Sequence, residues 1–260
     1  MPSAAVIRPY RSSDREAVRR LCCETGYLGK AIDPVFEDRE LFADYLTKFY
    51  TDWEPESTFV LEQDGELKGY LMGSRRPFLQ QFYNFFHNLS LFARGAFRYP
   101  RYNQASKAFV RWILLNAWRE VPAAPRHVPH FHFNLLPEVQ GLVRSRELLV
   151  QFLHHLRAHG EKKVFGQVVT FEERRGAKVF ERFGFRVVEK KEITKYRAHR
   201  DEPVYLCTVI KDLDDGILAE STSKCSGGVP AAGSFPPRPL RSLRFSLPST
   251  RNFIYQTPRP

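Results

Sequence analysis

The stretch from His130 to Gly160 constrains this chain more than any other. His130-Phe-His132-Phe-Asn134-Leu-Leu136 alternates polar and apolar side chains, the period of a strand. Pro137 to Ser145 reads as a turn around Gly141, with Arg144 inside it and Arg146 just beyond. Leu148, Leu149, Phe152, Leu153 and Leu156 then recur at helical spacing, and Gly160 suits the residue that stops a helix. A strand that turns tightly into a helix leaves the first helical amides without intrahelical acceptors. They point outward, and the helix dipole favours an anion in front of them. Arg144 and Arg146 add formal charge at the same place. The same pattern also describes an ordinary strand–helix crossover with surface arginines, so one glycine leaves the ligand open.

The elements before this stretch are short and well punctuated. Val6 to Arg11 reads as a strand. Ser13-Asp-Arg-Glu16 has capping-box spacing, with Ser13 as the expected N-cap of a helix whose apolar face is Ala17, Val18, Leu21 and Cys22 and which Gly26 ends. Tyr27 to Pro34 is a loop. Asp38 to Tyr50 is expected to be a second helix with Leu41, Phe42, Tyr45, Leu46 and Phe49 inward. Thr58–Glu62 and Leu67–Met72 flank Asp64-Gly65, a pair that favours the type I′ hairpin turn. After the central stretch, Lys163–Thr170 is a strand, Glu172–Arg182 a helix, and Arg186–Lys195 and Val204–Ile210 two further strands.

Charge divides the chain. The full sequence of 260 residues carries a formal net charge of +11. Between Arg75 and Arg126 lie nine Lys or Arg residues and a single acidic one, Glu120. The segment Pro77–Pro125 is also dense in aromatic residues. Helices are expected over 79–93 and over Ala105–Trp118, the latter with Phe109, Trp112, Ile113 and Trp118 near one face. Such a segment suits a helical subdomain packed on a sheet, a cover over a substrate site, or a surface for nucleic acid or an anionic membrane. From residue 214 onward the chain turns rich in Ser, Pro, Gly and Arg, with little to bury, and is expected to be disordered. Cys22, Cys23, Cys207 and Cys225 have neither metal-ligand nor disulfide spacing. No signal peptide and no membrane-spanning apolar run is evident, so a reducing, cytoplasmic setting is expected.

Asn134-Leu-Leu-Pro137-Glu-Val-Gln140-Gly141 followed by a helix resembles motif A of the GNAT superfamily of acetyl-CoA-dependent N-acetyltransferases. Glu172 to Phe185, above all Phe180-Glu-Arg-Phe-Gly184-Phe185, resembles its motif B. The resemblance runs from about Val6 to Leu213, apart from the insert. It implies an α/β (α+β) fold: a mixed, mostly antiparallel central sheet flanked by helices, with a helical insert in a domain of residues 1–213. It implies acetyl-CoA as co-substrate, no metal, and a small-molecule or protein amine as acceptor, with an anionic partner at the insert as a further expectation. Against these stand two other readings, a catalytically degenerate binding module and a binder of anionic surfaces.

The resemblance also assigns roles. Pantetheine would pair with the backbone of the motif A strand, Leu135, Leu136 and on to Val139. The diphosphate would lie on Gln140, Gly141, Leu142, Val143, Arg144 and Ser145. Val143 stands where the family has its central glycine, and a β-branched residue there opposes close backbone approach. In motif B, Glu173 replaces a frequent cofactor-contacting Asn, and Phe180 replaces the frequent acidic Tyr. Tyr196, or Tyr205, is then the candidate proton donor to the leaving thiolate. On the motif A strand His132 is the candidate base, since an imidazole titrates near neutrality; a hydrogen-bonded structural histidine is the competing reading. Glu138 and Glu62 are weaker candidates. His154, His155 and His159 read as surface residues.

Overall fold

The computed structural model describes residues 5–171 and 180–214. Glu173, the rest of 172–179 and the segment 215–260 lie outside the described residues. Seven strands form one sheet in the order β1-β2-β3-β4-β5-β7-β6. They are β1 (Val6–Pro9), β2 (Thr58–Gln63), β3 (Glu66–Ser74), β4 (His130–Leu135), β5 (Lys163–Thr170), β6 (Arg186–Glu192) and β7 (Tyr205–Asp212). Every neighbouring pair is antiparallel except β4 and β5. The fold is therefore the mixed, mostly antiparallel α/β sheet expected. The β2–β3 hairpin turns on Asp64 and Gly65, with φ of 54° and 75°, the two positive values a type I′ turn requires.

Helices cover both faces. On one lie α1 (Arg15–Thr25) and α2 (Arg39–Asp52), joined by the insert: α3 (Pro77–Arg98), α4 (Gln104–Leu115) and α5 (Ala117–Glu120). On the other lies α6 (Leu142–Ala158), whose Leu148, Leu149, Phe152, Leu153 and Leu156 are fully buried. Alternation along β4 serves both layers, with Phe131 and Leu135 packing under α6.

Several local expectations change. The first helix starts at Arg15, not after Ser13: Asp14 caps a short 3-10 turn instead, accepting from the Arg11 amide at 2.8 Å and from both terminal nitrogens of Arg8. A bidentate arginine outcompetes a serine cap. In α2 the inward face turns by one residue, so that Phe42, Ala43, Phe49 and Tyr50 are buried while Tyr45 and Leu46 are half-buried. The insert's first helix runs the full 22 residues of α3, and its second breaks at Asn116.

Candidate functional site

The sheet comes apart at its centre. β4 and β5 pair only through His130↔Phe165 and Phe131↔Gly166. On its other side β4 stays paired with β3 all the way to Gly69↔Leu135. The Leu136 amide donates to Lys68 O on the β3 side, and Pro129 O accepts from Phe165 on the β5 side. Main-chain groups alternate along a strand, so those of Phe133 and Leu135 face the β5 side, beyond the point where the ladder ends. The wedge thus offers one strand edge with main-chain donors and acceptors.

The loop at the mouth of this wedge is built by its own residues. Pro137–Val139 forms a 3-10 turn, and Gln140 Nε2 folds back to donate to Leu135 O at 2.9 Å. Gly141 then precedes α6 with φ 175°, extended backbone open to any residue, and a Cβ there would meet nothing within 4 Å. α6 has no side-chain cap and no acidic residue in its first turn. Ser145 N bonds Gly141 O, so the amides of Leu142, Val143 and Arg144 are the ones left without intrahelical acceptors. Val143 is 65% exposed on this first turn. Arg144 is held by Glu147 at 2.8 Å, a partly exposed pair worth at most about 1 kcal/mol and easily exchanged for an anion. Leu136 and Val139 are half-buried, Val139 against the α6-side core.

On the opposite face of β4, His130, His132 and Asn134 form a polar row inside the α1/α2 layer. Tyr50 from α2 places its hydroxyl 2.7 Å from His130 Nε2, and Gln80 Nε2 lies 2.9 Å from that hydroxyl and 3.1 Å from the same imidazole nitrogen. Asn134 donates to the Tyr70 hydroxyl at 2.8 Å. His132 stands between the Tyr50 and Tyr70 rings, at 5.0 and 6.0 Å. The residue as a whole is half-buried, yet its Nε2 is buried and without a hydrogen-bond partner among the described residues. Burial pushes His132 down to about 4 and His130 to about 3, so both rings are neutral near pH 7.

Tyr196 is buried in a short 3-10 turn after β6, its ring 5.4 Å from that of Tyr27. Lys195 Nζ lies 5.1 Å from the Trp112 ring and 4.9 Å from the Tyr196 ring. Glu120 accepts from Trp112 Nε1 at 2.6 Å and from the Thr194 amide at 2.7 Å. The insert, the Tyr27 loop and the turn after β6 therefore close on one another at the end of the sheet.

The residues expected from the sequence do not gather at one place. Leu135 to Ser145 form one continuous edge from wedge to helix start. His132 lies across the sheet from that edge, among Tyr50, Tyr70 and Gln80, none of which the sequence pointed out. The opposition of Tyr70 to Asn134 and Met72 to His132 was the available signal, because facing residues of an antiparallel pair share a side. Phe180 is buried among Phe131, Phe133, Phe183 and Phe185. Of the weaker base candidates, Glu62 is paired with Arg8, and Glu138 lies 3.6 Å from Lys68. His155 is not a surface residue: it packs on Phe59 and Phe152, with Nε2 3.3 Å from Ser57 Oγ, because α6 turns it toward β2.

No protein-family profile matches the chain, and no curated protein matches it in sequence. Solved structures do. SsHAT is 26% identical, with 80% of this chain aligned to 98% of that one at a TM-score of 0.54. A polyamine N-acetyltransferase of Drosophila melanogaster, described as forming N-acetylagmatine, is 12% identical, with 81% of this chain aligned to 100% of that one at a TM-score of 0.50.

Proposed function

We propose that this chain, which has the GNAT fold, transfers an acetyl group from acetyl-CoA to an amine by direct attack. The observation that carries the reading is the split between β4 and β5, because a strand edge left without a partner strand leads there, through the 3-10 turn Pro137–Val139, to the uncapped start of α6. The edge at Phe133 and Leu135 suits an amide-containing arm, and the amides of Leu142, Val143 and Arg144 suit a diphosphate. Gly141 leaves open space beside them. Bound there, acetyl-CoA supplies a thioester carbonyl as electrophile.

The chain's own part is to hold, orient and exclude water. His132, neutral and with a buried Nε2 that has no hydrogen-bond partner among the described residues, is a weak base: its value of about 4 lies far below that of an alkylammonium, about 10. Its role is to hold an amine already deprotonated by solvent, through Nε2, rather than to strip an ammonium ion. The amine nitrogen bonds to the acetyl carbon and gives up one proton along its hydrogen bond to His132 Nε2, the carbon–sulfur bond breaks, and the thiolate leaves with the electron pair. It takes up a proton, for which Tyr196 or Tyr205 is the candidate donor. A thiolate of pKa about 8.5 leaves readily without that help. On this reading residues 1–213 are the transferase unit, and the insert walls the acceptor side. The insert's charge is partly spent on the body, since Arg76, Arg94 and Arg98 pair with Glu56, Asp44 and Asp38.

Calorimetric titration of the full chain with acetyl-CoA tests this. Micromolar binding that a Gln140→Ala, Arg144→Glu double variant loses is the expected result. A folded sample that binds nothing at millimolar acetyl-CoA overturns the reading.

A further inference from the structure

The insert's longest helix wears its apolar side outward. Along α3, Leu79, Tyr83, His87, Leu91 and Arg94 face the body: Tyr83 packs on Phe49 and Trp53, His87 lies 3.2 Å from Asp44 O, and Arg94 pairs with Asp44 at 2.6 Å. Turned away are Phe82, Phe85, Phe86, Leu89 and Phe92, together with Phe78, which also stacks on His127 at 4.4 Å; each is 50–67% exposed. At roughly 200 Å² per large side chain this is on the order of 600–700 Å² of apolar surface. It exceeds the roughly 300–600 Å² of the largest patch on an ordinary monomer and approaches the about 800 Å² per partner of a stable interface.

Two features choose the occupant. Phe78, Phe82, Phe85, Leu89 and Phe92 follow one another at intervals of four, three, four and three residues. That 3.5-residue period is the seam of a helix packed along another helix, and a lipid surface has no use for it. From Pro77 to Ala93 the helix carries no Lys, Arg, Asp or Glu. The cations at its ends are paired with carboxylates of the body, Arg76 with Glu56 at 2.8 Å and Arg98 with Asp38 at 2.8 Å. The seam is thus charge-free in a chain of net charge +11, the condition under which two like-charged copies can meet. We infer that the outward face of α3 binds a second copy of itself, as an antiparallel helix pair about a two-fold axis near Phe85. Two-fold symmetry puts Phe85 against its counterpart, Phe82 against the second copy's Leu89, and Phe78 against its Phe92. Antiparallel helix dipoles favour the same arrangement.

Sedimentation velocity of the full chain from about 1 to about 100 µM reads the association. The expected species has twice the chain mass of 30.3 kDa. Phe82→Glu with Leu89→Glu places like charges across the seam and is expected to weaken dimerisation by on the order of 100-fold. Both side chains are mostly exposed, so the melting temperature of the monomer should hold. Independently, Phe85→Cys in a Cys225→Ser background should yield a disulfide-linked dimer on mild oxidation, while Arg111→Cys on α4 should not; Cys22, Cys23 and Cys207 are buried. A monomer throughout this range, a dimer indifferent to the paired glutamates, or a monomer that pellets with phosphatidylglycerol vesicles through this face would each overturn the inference.

Discussion

At the scale of single residues, Gly141 is where fold and proposed function separate most cleanly. Its φ of 175° is extended backbone that any residue adopts, and a Cβ there would touch nothing within 4 Å. Neither strain nor crowding therefore explains a glycine; close approach by a ligand does. Gly141→Val should leave the melting temperature unchanged and raise the dissociation constant for acetyl-CoA at least about tenfold, a loss of roughly 1.4 kcal/mol. Differential scanning fluorimetry and calorimetry on the same samples measure the two effects. Unchanged affinity would place the diphosphate elsewhere. Val143, by contrast, was legible from sequence as a departure, and its exposure on the first turn of α6 shows that the helix forms around it without burying it. Gln140 was legible as a loop residue, but its bond to Leu135 O was not, since it depends on the path of the 3-10 turn.

At the scale of elements, the β-hairpin, α6 and the strand of alternating His and Phe were readable because each carries one unambiguous period and its own stop signal. The 3-10 turn that Asp14 caps ahead of α1 was not, because its partner Arg8 lies on a strand that the sequence pattern does not bring near Asp14. Nor was the packing of α6 against β3. Gly73 on β3 is the reason it can come so close: a Cβ there would stand 2.2 Å from the Phe152 ring and 2.8 Å from His130 O. The second of these is backbone on the neighbouring strand and cannot swing aside. Gly73→Ala should therefore destabilise the protein by about 1–3 kcal/mol through overpacking, read as a lowered midpoint in urea with an unchanged slope. A neutral result would mean that β3 and α6 separate more easily than their close packing implies. Because β3 also pins the intact side of β4, the variant should weaken acetyl-CoA binding only as far as it unfolds the chain.

At the scale of the whole molecule, the sheet with helices on both faces was legible in outline, whereas the charge-free outer face of α3 and the buried polar row of β4 emerge only when register and layer are fixed. That row links titration to stability. His130 and His132, at about 3 and 4 in the folded chain, titrate near 6.5 when unfolded. Between those values the unfolded chain binds more protons than the folded one, so unfolding becomes easier as the pH falls. The contribution is complete above about pH 7 and is lost as pH drops through 6.5 toward 4, by up to about 1.4 kcal/mol per pH unit for each imidazole. The carboxylates of Asp14, Asp44 and Asp52 are held down by Arg8, Arg19, Arg94, Arg15 and Lys48, and their contributions begin to fail only as the pH falls below about 5, through the usual carboxylate range. Urea unfolding at pH 7.0, 6.0 and 5.0 should thus show a stability loss that begins above the usual carboxylate range. His132→Phe keeps an aromatic ring between Tyr50 and Tyr70 and removes one of the depressed histidine titrations, which also include His130, His155 at about 4 and His87, and should flatten the slope across this window by roughly a quarter to a third. A slope that the substitution does not change would mean that His132 is protonated in the folded chain, and that its open nitrogen is satisfied by a charge rather than kept free for an acceptor amine.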